Sequence, residues 1–284
     1  MTNFRQVDVF TGSPLMGNPV AVVMNAEGIS DEDLALFSIW TNLSETTFLL
    51  PPTDPAADYR VRIFSLGTEL PFAGHPTIGT CHAWLEAGGV PKTDGTIIQE
   101  CGVGLVTLRQ SEGRLAFAAP PLIKDGSPSE EELAPVCEVL QIDRAEIVDA
   151  QWADNGPGWI AVMLRDSDAV LDLTPELGAV ENYAIGVVGV TPQNVSEAAT
   201  RGVEDVTIRA FFRLGGAAAE DPVTGSLNAA VAQWLLGNRT LSAPYVASQG
   251  TAMGRDGKVY INEAEDEIWV GGDAVTVITG EVVI

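Results

Sequence analysis

The feature of this chain that most constrains its fold is a phrase that occurs twice. The phrase is a polar residue, proline, two further residues, glycine and a hydroxyl residue, and its copies are HPTIGT from His75 and DPVTGS from Asp221. An apolar stretch of strand length with an Arg-x-Phe ending precedes each copy, at residues 59–64 and 206–211. A glycine-containing hairpin pattern follows each helix. We therefore predict two homologous α+β halves, each with one central helix.

Both copies predict the start of a helix. Proline is favoured in the first helical turn, and Asp221 immediately before Pro222 is a suitable N-cap. Glycine in a first turn costs about 1 kcal/mol relative to alanine, so its presence as Gly79 and Gly225 needs a reason. One interpretation is a close approach of a ligand to the backbone, because helix N-termini present N–H groups that suit a carboxylate. The alternative is that both glycines let a helix pack tightly on a sheet.

The predicted halves cover residues 1–117 and 118–279, and a final strand, 280–284, can return to the first half. Hydrophobic patterning and capping residues predict the following elements. Helices are expected from Ser30 to about residue 40 and from Ser129 to residue 140. Strands are expected at residues 4–10, 19–24, 46–50, 145–150 and 159–164.

Composition narrows the possible partners and location. The chain has 39 acidic and 15 basic residues, a net charge of −24, which disfavours nucleic acid and anionic membranes and also favours solubility. No basic segment leads into an apolar run at the start, and no apolar stretch approaches about 18 residues. Cys81, Cys101 and Cys137 lack any CxxC spacing, which argues against a zinc site and fits a reducing compartment. We expect a cytoplasmic protein that does not bind membranes.

Glu45 is a candidate general base. In NLSETTFLL it comes directly before an apolar strand, and a carboxylate next to buried sequence can have a raised pKa that suits proton transfer near neutral pH. The alternative is a solvated glutamate in a turn.

Five segments carry a resemblance to a known family. They are DVFTGSPLMGNPVAVV (8–23), NLSETTFLL (42–50), ELPFAGHPTIGT (69–80), EDPVTGSLNA (220–229) and SQGTAMGR (248–255). Together they resemble the PhzF-like isomerases of phenazine biosynthesis, within the diaminopimelate-epimerase-like fold. The resemblance implies two pseudo-symmetric domains, each a strongly curved, mostly antiparallel sheet around a central helix, with the active site between them. It also implies a cofactor-free isomerase, usually a homodimer, in which a glutamate moves a proton between carbons.

The resemblance assigns roles position by position. The positions that match the family's catalytic groups are Glu45, His75, Asp221 and Ser226. Those that match groups holding the polar end of the substrate are Ser44, Gly74 and Gly225. The implied substrate is a small carboxylic acid, cyclic or unsaturated, and its pathway is left open. The segment 213–219, RLGGAAA, departs from the family's usual lead into Glu-Asp-Pro and bears on substrate identity.

Other functions fit the sequence less well. The related epimerases use two facing thiols, and residues 220–226 contain no cysteine, which excludes that chemistry. His82 follows His75 by two helical turns and is expected to be a buried, hydrogen-bonded residue. No Gly-x-Ser-x-Gly elbow, Walker loop or metal-ligand spacing is present, so we expect no metal and no cofactor. A non-catalytic small-molecule binder with the same fold is the alternative to an enzyme.

Overall fold

A computed structural model describes residues 1–180, 183–191, 204–214 and 217–284. This part of the chain divides into two compact units. Unit 1 contains residues 1–118 and 271–284, and unit 2 contains residues 119–270. Residues 271–279 lie in unit 1, not in the second half, because the last strand begins at Ala274 and pairs with the first strand of the chain.

Residues 1–118 of unit 1 form eight strands and two helices. They are β1 (Thr2–Val9), β2 (Asn18–Val23), α1 (Asp31–Thr41), β3 (Thr46–Leu50), β4 (Tyr59–Ser65), β5 (Thr68–Leu70), α2 (Gly74–Glu86), β6 (Thr96–Cys101), β7 (Gly104–Ser111) and β8 (Arg114–Ala118). The remaining elements of the described chain are α3 (Glu130–Leu140), β9 (Asp149–Trp152), β10 (Trp159–Leu164), α4 (Ser167–Leu171), β11 (Ala184–Val190), β12 (Val206–Leu214), β13 (Ala217–Glu220), α5 (Gly225–Gly237), β14 (Tyr245–Gln249), β15 (Gly257–Ala264), β16 (Glu267–Gly272) and β17 (Ala274–Val282).

Local sequence explains where α1 and α3 begin. The Ser30 side chain accepts a hydrogen bond from the backbone of Asp33, and three acidic residues fill the first turn of α1. Ser129 and Glu132 form a complete capping box at α3. The strand expected at 145–150 is wrong in its first half, because Asp143 and Glu146 form a capping box that turns Arg144–Glu146 into a 3₁₀ helix.

The two repeated phrases do not begin their helices at the same point. Helix α2 begins at Gly74, which places His75 and Pro76 inside its first turn. Helix α5 begins at Gly225 with Thr224 as its N-cap, so the prediction that Asp221 is the N-cap is wrong. The reason lies outside the phrase. The backbone N–H of Thr224 donates to the side chain of Gln249 in β14, which holds residues 221–224 in a non-helical course.

Gly79 is explained by packing. A Cβ atom at this position would lie 2.4 Å from Val20 Cγ1 and 3.0 Å from Val9 Cγ2, both in the sheet of unit 1. Only glycine lets α2 approach β1 and β2 this closely. The packing interpretation therefore holds for Gly79. The side chains of Val9 and Val20 fill the space beside its Cα atom, so a ligand cannot approach the backbone there.

The sheet of unit 1 curves around α2. Its strands pair in the order β17, β1, β2, β3, β4, after which β6, β7 and β8 continue from β4, and β5 pairs with the other end of β4. The pairs β2–β3 and β4–β6 are parallel and the rest are antiparallel. Helix α2 packs against β17 and β1 as well as against β8 at the far end of this order. A sheet whose two ends contact one helix is strongly curved, which confirms the predicted fold class.

Unit 2 repeats this arrangement. Strands β9, β10, β11 and β12 pair in order, β12 then pairs with β13 and β14, and β14 pairs with β15. Its parallel pairs, β10–β11 and β12–β14, occupy the same places as β2–β3 and β4–β6. Helix α5 is buried along most of its length, and Leu227 packs on Gly186 of β11. Residues 215–216 of the unusual segment lie outside the described residues.

Further helices cover the outer faces of both sheets. In unit 1, Leu34 of α1 packs with Phe48 and Phe64. In unit 2, α3 contributes Leu133, Val136, Val139 and Leu140 to a cluster with the outer side chains of β9 to β12. The longest helices among the described residues, α2 and α5, have 13 residues each, and none of the described helices could cross a membrane.

Candidate active site

Glu45 lies at the junction of α1 and β3 in unit 1. Helix α1 ends in a left-handed residue, Asn42 (φ 55°), which turns the chain towards the sheet. The Glu45 carbonyl then accepts a hydrogen bond from Ala21 in the neighbouring strand β2. The side chain of Glu45 is only 13% exposed, so the prediction of a solvated turn glutamate is wrong.

The Glu45 carboxylate faces a neutral histidine. His75 Nε2 lies 3.3 Å from Glu45 Oε2, and the imidazole is 7% exposed. Burial lowers the pKa of His75 from 6.5 to about 3, because the protonated ring would lose its hydration. The ring is therefore uncharged at neutral pH, and the contact joins a neutral imidazole to a carboxyl group.

Asn18 completes this group, and the sequence did not predict its role. It is the first residue of β2, it is 1% exposed, and its amide Nδ2 lies 3.4 Å from His75 Nδ1. The preceding GSPLMG predicts a turn, and asparagine is common in turns. The sequence pattern therefore indicates a turn residue at position 18 and gives no sign of a contact with His75. We call Asn18, Glu45 and His75 the Glu45 cluster.

Ser44 and Gly74 are the chain neighbours of Glu45 and His75. Ser44 is partly buried, and Gly74 is the first residue of α2 and is buried. Backbone N–H groups in the first turn of an α-helix have no intrahelical acceptor. Gly74 therefore presents such a group next to the Glu45 cluster.

Asp221 belongs to a buried polar group in unit 2. It is 7% exposed, its backbone N–H donates to Ala210 of β12 (2.9 Å), and its carboxylate accepts the hydroxyl proton of Thr224. Gln249 Nε2 donates to the Asp221 carbonyl (3.0 Å) and to Thr224 Oγ1 (2.9 Å). Gln249 Oε1 accepts from the Thr224 backbone and from Asn228 Nδ2. Every hydrogen-bonding position of the Gln249 amide is used, which holds Asp221 in one place.

A second buried glutamine occupies the matching strand of unit 1. Gln99 of β6 donates to Thr77 in the first turns of α2 (3.0 Å) and accepts from Tyr59 (3.0 Å). Strands β6 and β14 have the same place in the two sheets. Each unit thus ties the start of its central helix to the sheet through one buried amide, a feature that no short motif revealed.

Ser226 is oriented by a tryptophan. Its Oγ accepts the indole proton of Trp159 (3.1 Å), and its backbone carbonyl accepts from Asn155 (2.8 Å). Indole can only donate, so the serine oxygen must act as the acceptor and keeps its own proton for another acceptor. Gly225 precedes it as the first residue of α5.

Two other residues near the phrases have structural roles. His82 is hydrogen-bonded as expected, because its Nε2 lies 3.2 Å from Thr276 Oγ1 and links α2 to β17, but the residue is partly rather than fully buried. Cys81 is fully buried, and burial raises the pKa of its thiol to about 12. Within the described ranges, no three His, Cys, Asp or Glu side chains gather as a metal site.

Fold and site together define a class of protein. The chain is an α+β protein of two topologically equivalent units, and unit 1 contains a carboxyl–imidazole contact between Glu45 and His75. The family model described as "Phenazine biosynthesis-like protein" matches residues 7–280, and the chain belongs to this PhzC-PhzF family.

Individual relatives and a solved structure are also similar to this chain over nearly its whole length. The chain is 34% identical over 296 residues to "Antisense-enhancing sequence 1" of Schizosaccharomyces pombe, covering 98% of each chain. It is 29% identical to an uncharacterized isomerase of Pasteurella multocida, covering 99% of this chain and 94% of the relative. The crystal structure of a PhzF-family phenazine biosynthesis protein of Enterococcus faecalis superposes with a TM-score of 0.80 at 22% identity, covering 100% and 99% of the chains. This last likeness concerns the fold alone.

Proposed function

We propose that this protein is a cofactor-independent isomerase that moves a proton between two carbons of a small carboxylic acid, with Glu45 as the acid–base group. The observation that carries the proposal is the 3.3 Å contact between the nearly buried Glu45 carboxyl and the neutral His75 ring. Membership of the PhzC-PhzF family and a relative named as an isomerase support it.

The proton shift needs one group that acts twice. The Glu45 carboxylate removes a proton from a carbon of the substrate, and the electron pair of that bond moves into the adjacent unsaturated system. The carboxyl proton of Glu45 exchanges with water, and the protonated Glu45 then delivers a proton to another carbon, so the product has the composition of the substrate. Neutral His75 lies 3.3 Å from the carboxylate and would orient Glu45 through this contact without placing a positive charge beside it.

The other predicted residues bind the substrate in this proposal. The N–H groups of Gly74 and Gly225 lie at helix starts and suit a carboxylate or developing negative charge. The hydroxyls of Ser44 and Ser226 would donate to the same polar end. Asp221, held by Gln249, would accept a hydrogen bond from a donor on the substrate. The family resemblance supports these roles.

A cyclic or unsaturated acid fits the chemistry best, because such a system stabilises the charge that forms when a carbon loses its proton. The substrate need not belong to phenazine biosynthesis. We also propose that the protein acts as a cytoplasmic homodimer. The resemblance supports the dimer, and three cysteines outside any disulfide are compatible with a reducing compartment.

The test is the exchange of carbon-bound hydrogen in deuterated water. Wild-type protein, incubated with candidate cyclic and allylic acids, should incorporate deuterium into one product carbon. Glu45→Gln keeps shape and hydrogen bonding but cannot accept a proton, so it should bind the same acid and lose roughly 10²–10⁴-fold in rate. Glu27→Gln makes the same change at an exposed position and should leave the rate unchanged.

Two results would contradict the proposal. One is turnover of a true substrate by Glu45→Gln at a rate close to that of the wild type. The other is tight binding of an acid by the wild type without any exchange, which would favour the non-catalytic binder.

A further inference from the structure

We infer that Asn18 is a positioning residue that sets the tautomer of His75, so that the ring presents Nε2–H to Glu45. The effect of Asn18 on rate rests on the proposed function. The tautomer itself does not, since it follows from the contacts of the folded protein.

The inference begins with the donors and acceptors around one ring. Neutral imidazole carries one N–H donor and one acceptor nitrogen. The Asn18 amide nitrogen, 3.4 Å from His75 Nδ1, can only donate, so Nδ1 must be the acceptor. The ring proton therefore resides on Nε2, the nitrogen that lies 3.3 Å from Glu45 Oε2.

The opposite tautomer would oppose the role of Glu45. With an unprotonated Nε2, two hydrogen-bond acceptors, Nε2 and Glu45 Oε2, would lie 3.3 Å apart and repel each other. The ring would then have no proton on the side of the carboxylate and could not orient Glu45 as a donor. Selection of the tautomer at Nδ1 thus determines whether His75 can act as a donor towards Glu45.

Asn18 is well placed for this role because its backbone is tightly held. Asn18 pairs with Val9 of β1, and the preceding Gly17 N–H donates to the buried carboxylate of Asp8 (3.0 Å). A Cβ atom at Gly17 would lie 2.2 Å from the Val9 carbonyl oxygen, so the loop from Thr11 to Gly17 closes against β1. The amide of Asn18 is 1% exposed and is shielded from competing water.

The first measurement needs no change at the site. The chain contains two histidines, so a His82→Gln variant labelled with ¹⁵N-histidine gives the spectrum of His75 alone. At neutral pH, long-range ¹H–¹⁵N correlation should show a protonated Nε2 and an unprotonated Nδ1. A protonated Nδ1 would overturn the inference, whatever the activity of the protein.

The second measurement changes the partner of Nδ1. In Asn18→Asp an ionised carboxylate can only accept, so Nδ1 should become protonated. Asn25→Asp is the matched control, with the same charge change at an exposed residue beyond the other end of β2, and it should leave Nδ1 unprotonated. If Nδ1 stays unprotonated in a folded Asn18→Asp protein, Asn18 does not set the tautomer.

Kinetics separate the tautomer from the proposed reaction. If the Glu45 mechanism holds, Asn18→Asp should lower kcat by about 10²-fold or more with a smaller change in KM, because orientation is lost in the proton-transfer step. A protonated Nδ1 with an unchanged kcat would support the inference and contradict the proposed function instead.

Discussion

At the scale of single residues, burial decides the charge of His75. A histidine with an ordinary pKa of 6.5 would be partly charged in a mildly acidic cell, whereas burial lowers the pKa of His75 to about 3. The ring therefore stays neutral through the pH range in which the protein would work. The charge of the ring is consequently insensitive to modest acidification.

This shift predicts a pH dependence of stability. Between about pH 6.5 and 3 the unfolded chain binds a proton at His75 and the folded protein does not, so stability falls as the pH falls through this window. The loss approaches about 1.4 kcal/mol per pH unit. Urea unfolding at pH 4.5 to 7.5 should show that the wild type loses stability faster than His75→Gln as the pH drops. Parallel curves for the two proteins would contradict the shift.

At this scale the sequence offered candidates for the site. Glu45 was a candidate base from its place before an apolar strand, whereas the roles of His75, Asp221 and Ser226 are those that the family resemblance implies, and all four stay predictions. Asn18 and Gln249 could not be found in this way. Their roles depend on which strand lies next to which helix start, and a single sequence does not contain that information in a local pattern.

At the scale of elements, the two units carry the same ion pair in different environments. Arg62 of β4 forms two hydrogen bonds with Glu69 of β5, and Arg209 of β12 forms two with Glu220 of β13. The Arg62 and Glu69 side chains are 26% and 44% exposed, whereas Arg209 and Glu220 are 6% and 12% exposed.

Removal of the arginine should therefore have unequal effects. Arg209→Met leaves a buried glutamate without its charge partner and should cost about 3–5 kcal/mol. Arg62→Met removes a partly exposed arginine that pairs with Asp31 as well as Glu69, and it should cost at most about 1 kcal/mol. The free energy of unfolding from urea titrations checks both values. Equal losses for the two variants would show that burial does not control the strength of the pair.

Elements with strong local signals were predicted well, and those controlled by distant residues were not. The caps at Ser30 and Ser129 lie within three residues of their partners, so α1 and α3 begin where expected. Helix α5 begins later than its phrase suggests because Gln249, 25 residues from Thr224, holds the chain before it. A contact across that distance outweighed the local preference of Asp-Pro for a helix start.

At the scale of the whole molecule, the net charge of −24 should make stability depend on salt. Repulsion among the excess acidic groups opposes the compact state, and salt screens it over a Debye length of about 10 Å at 0.1 M. Raising NaCl from about 0.01 to 0.1 M should raise Tm by about 2–4 °C, equivalent to roughly 1 kcal/mol. KCl should have the same effect. A fall in Tm would mean that screening of the specific ion pairs outweighs the relief of repulsion.

The duplication was predictable at this scale and the strand pairing was only partly so. Repeated phrases with matching strands before them indicated two equivalent units, because the same local pattern needs the same neighbours. The pairing of β17 with β1, by contrast, joins residues from opposite ends of the described chain. Hydrophobic alternation shows that a strand forms but does not identify its partner.

The pairing of β17 with β1 has a consequence for the order in which the protein can form during its synthesis. Unit 2 is one continuous stretch, so all of its residues are synthesised before β17. Unit 1 contains Glu45 and His75, yet β1 lacks one of its two neighbours until residues 274–282 have been translated. The half of the molecule that is synthesised first is therefore completed last, and the unit that holds the Glu45 cluster gains its last strand only after all of unit 2 has been synthesised.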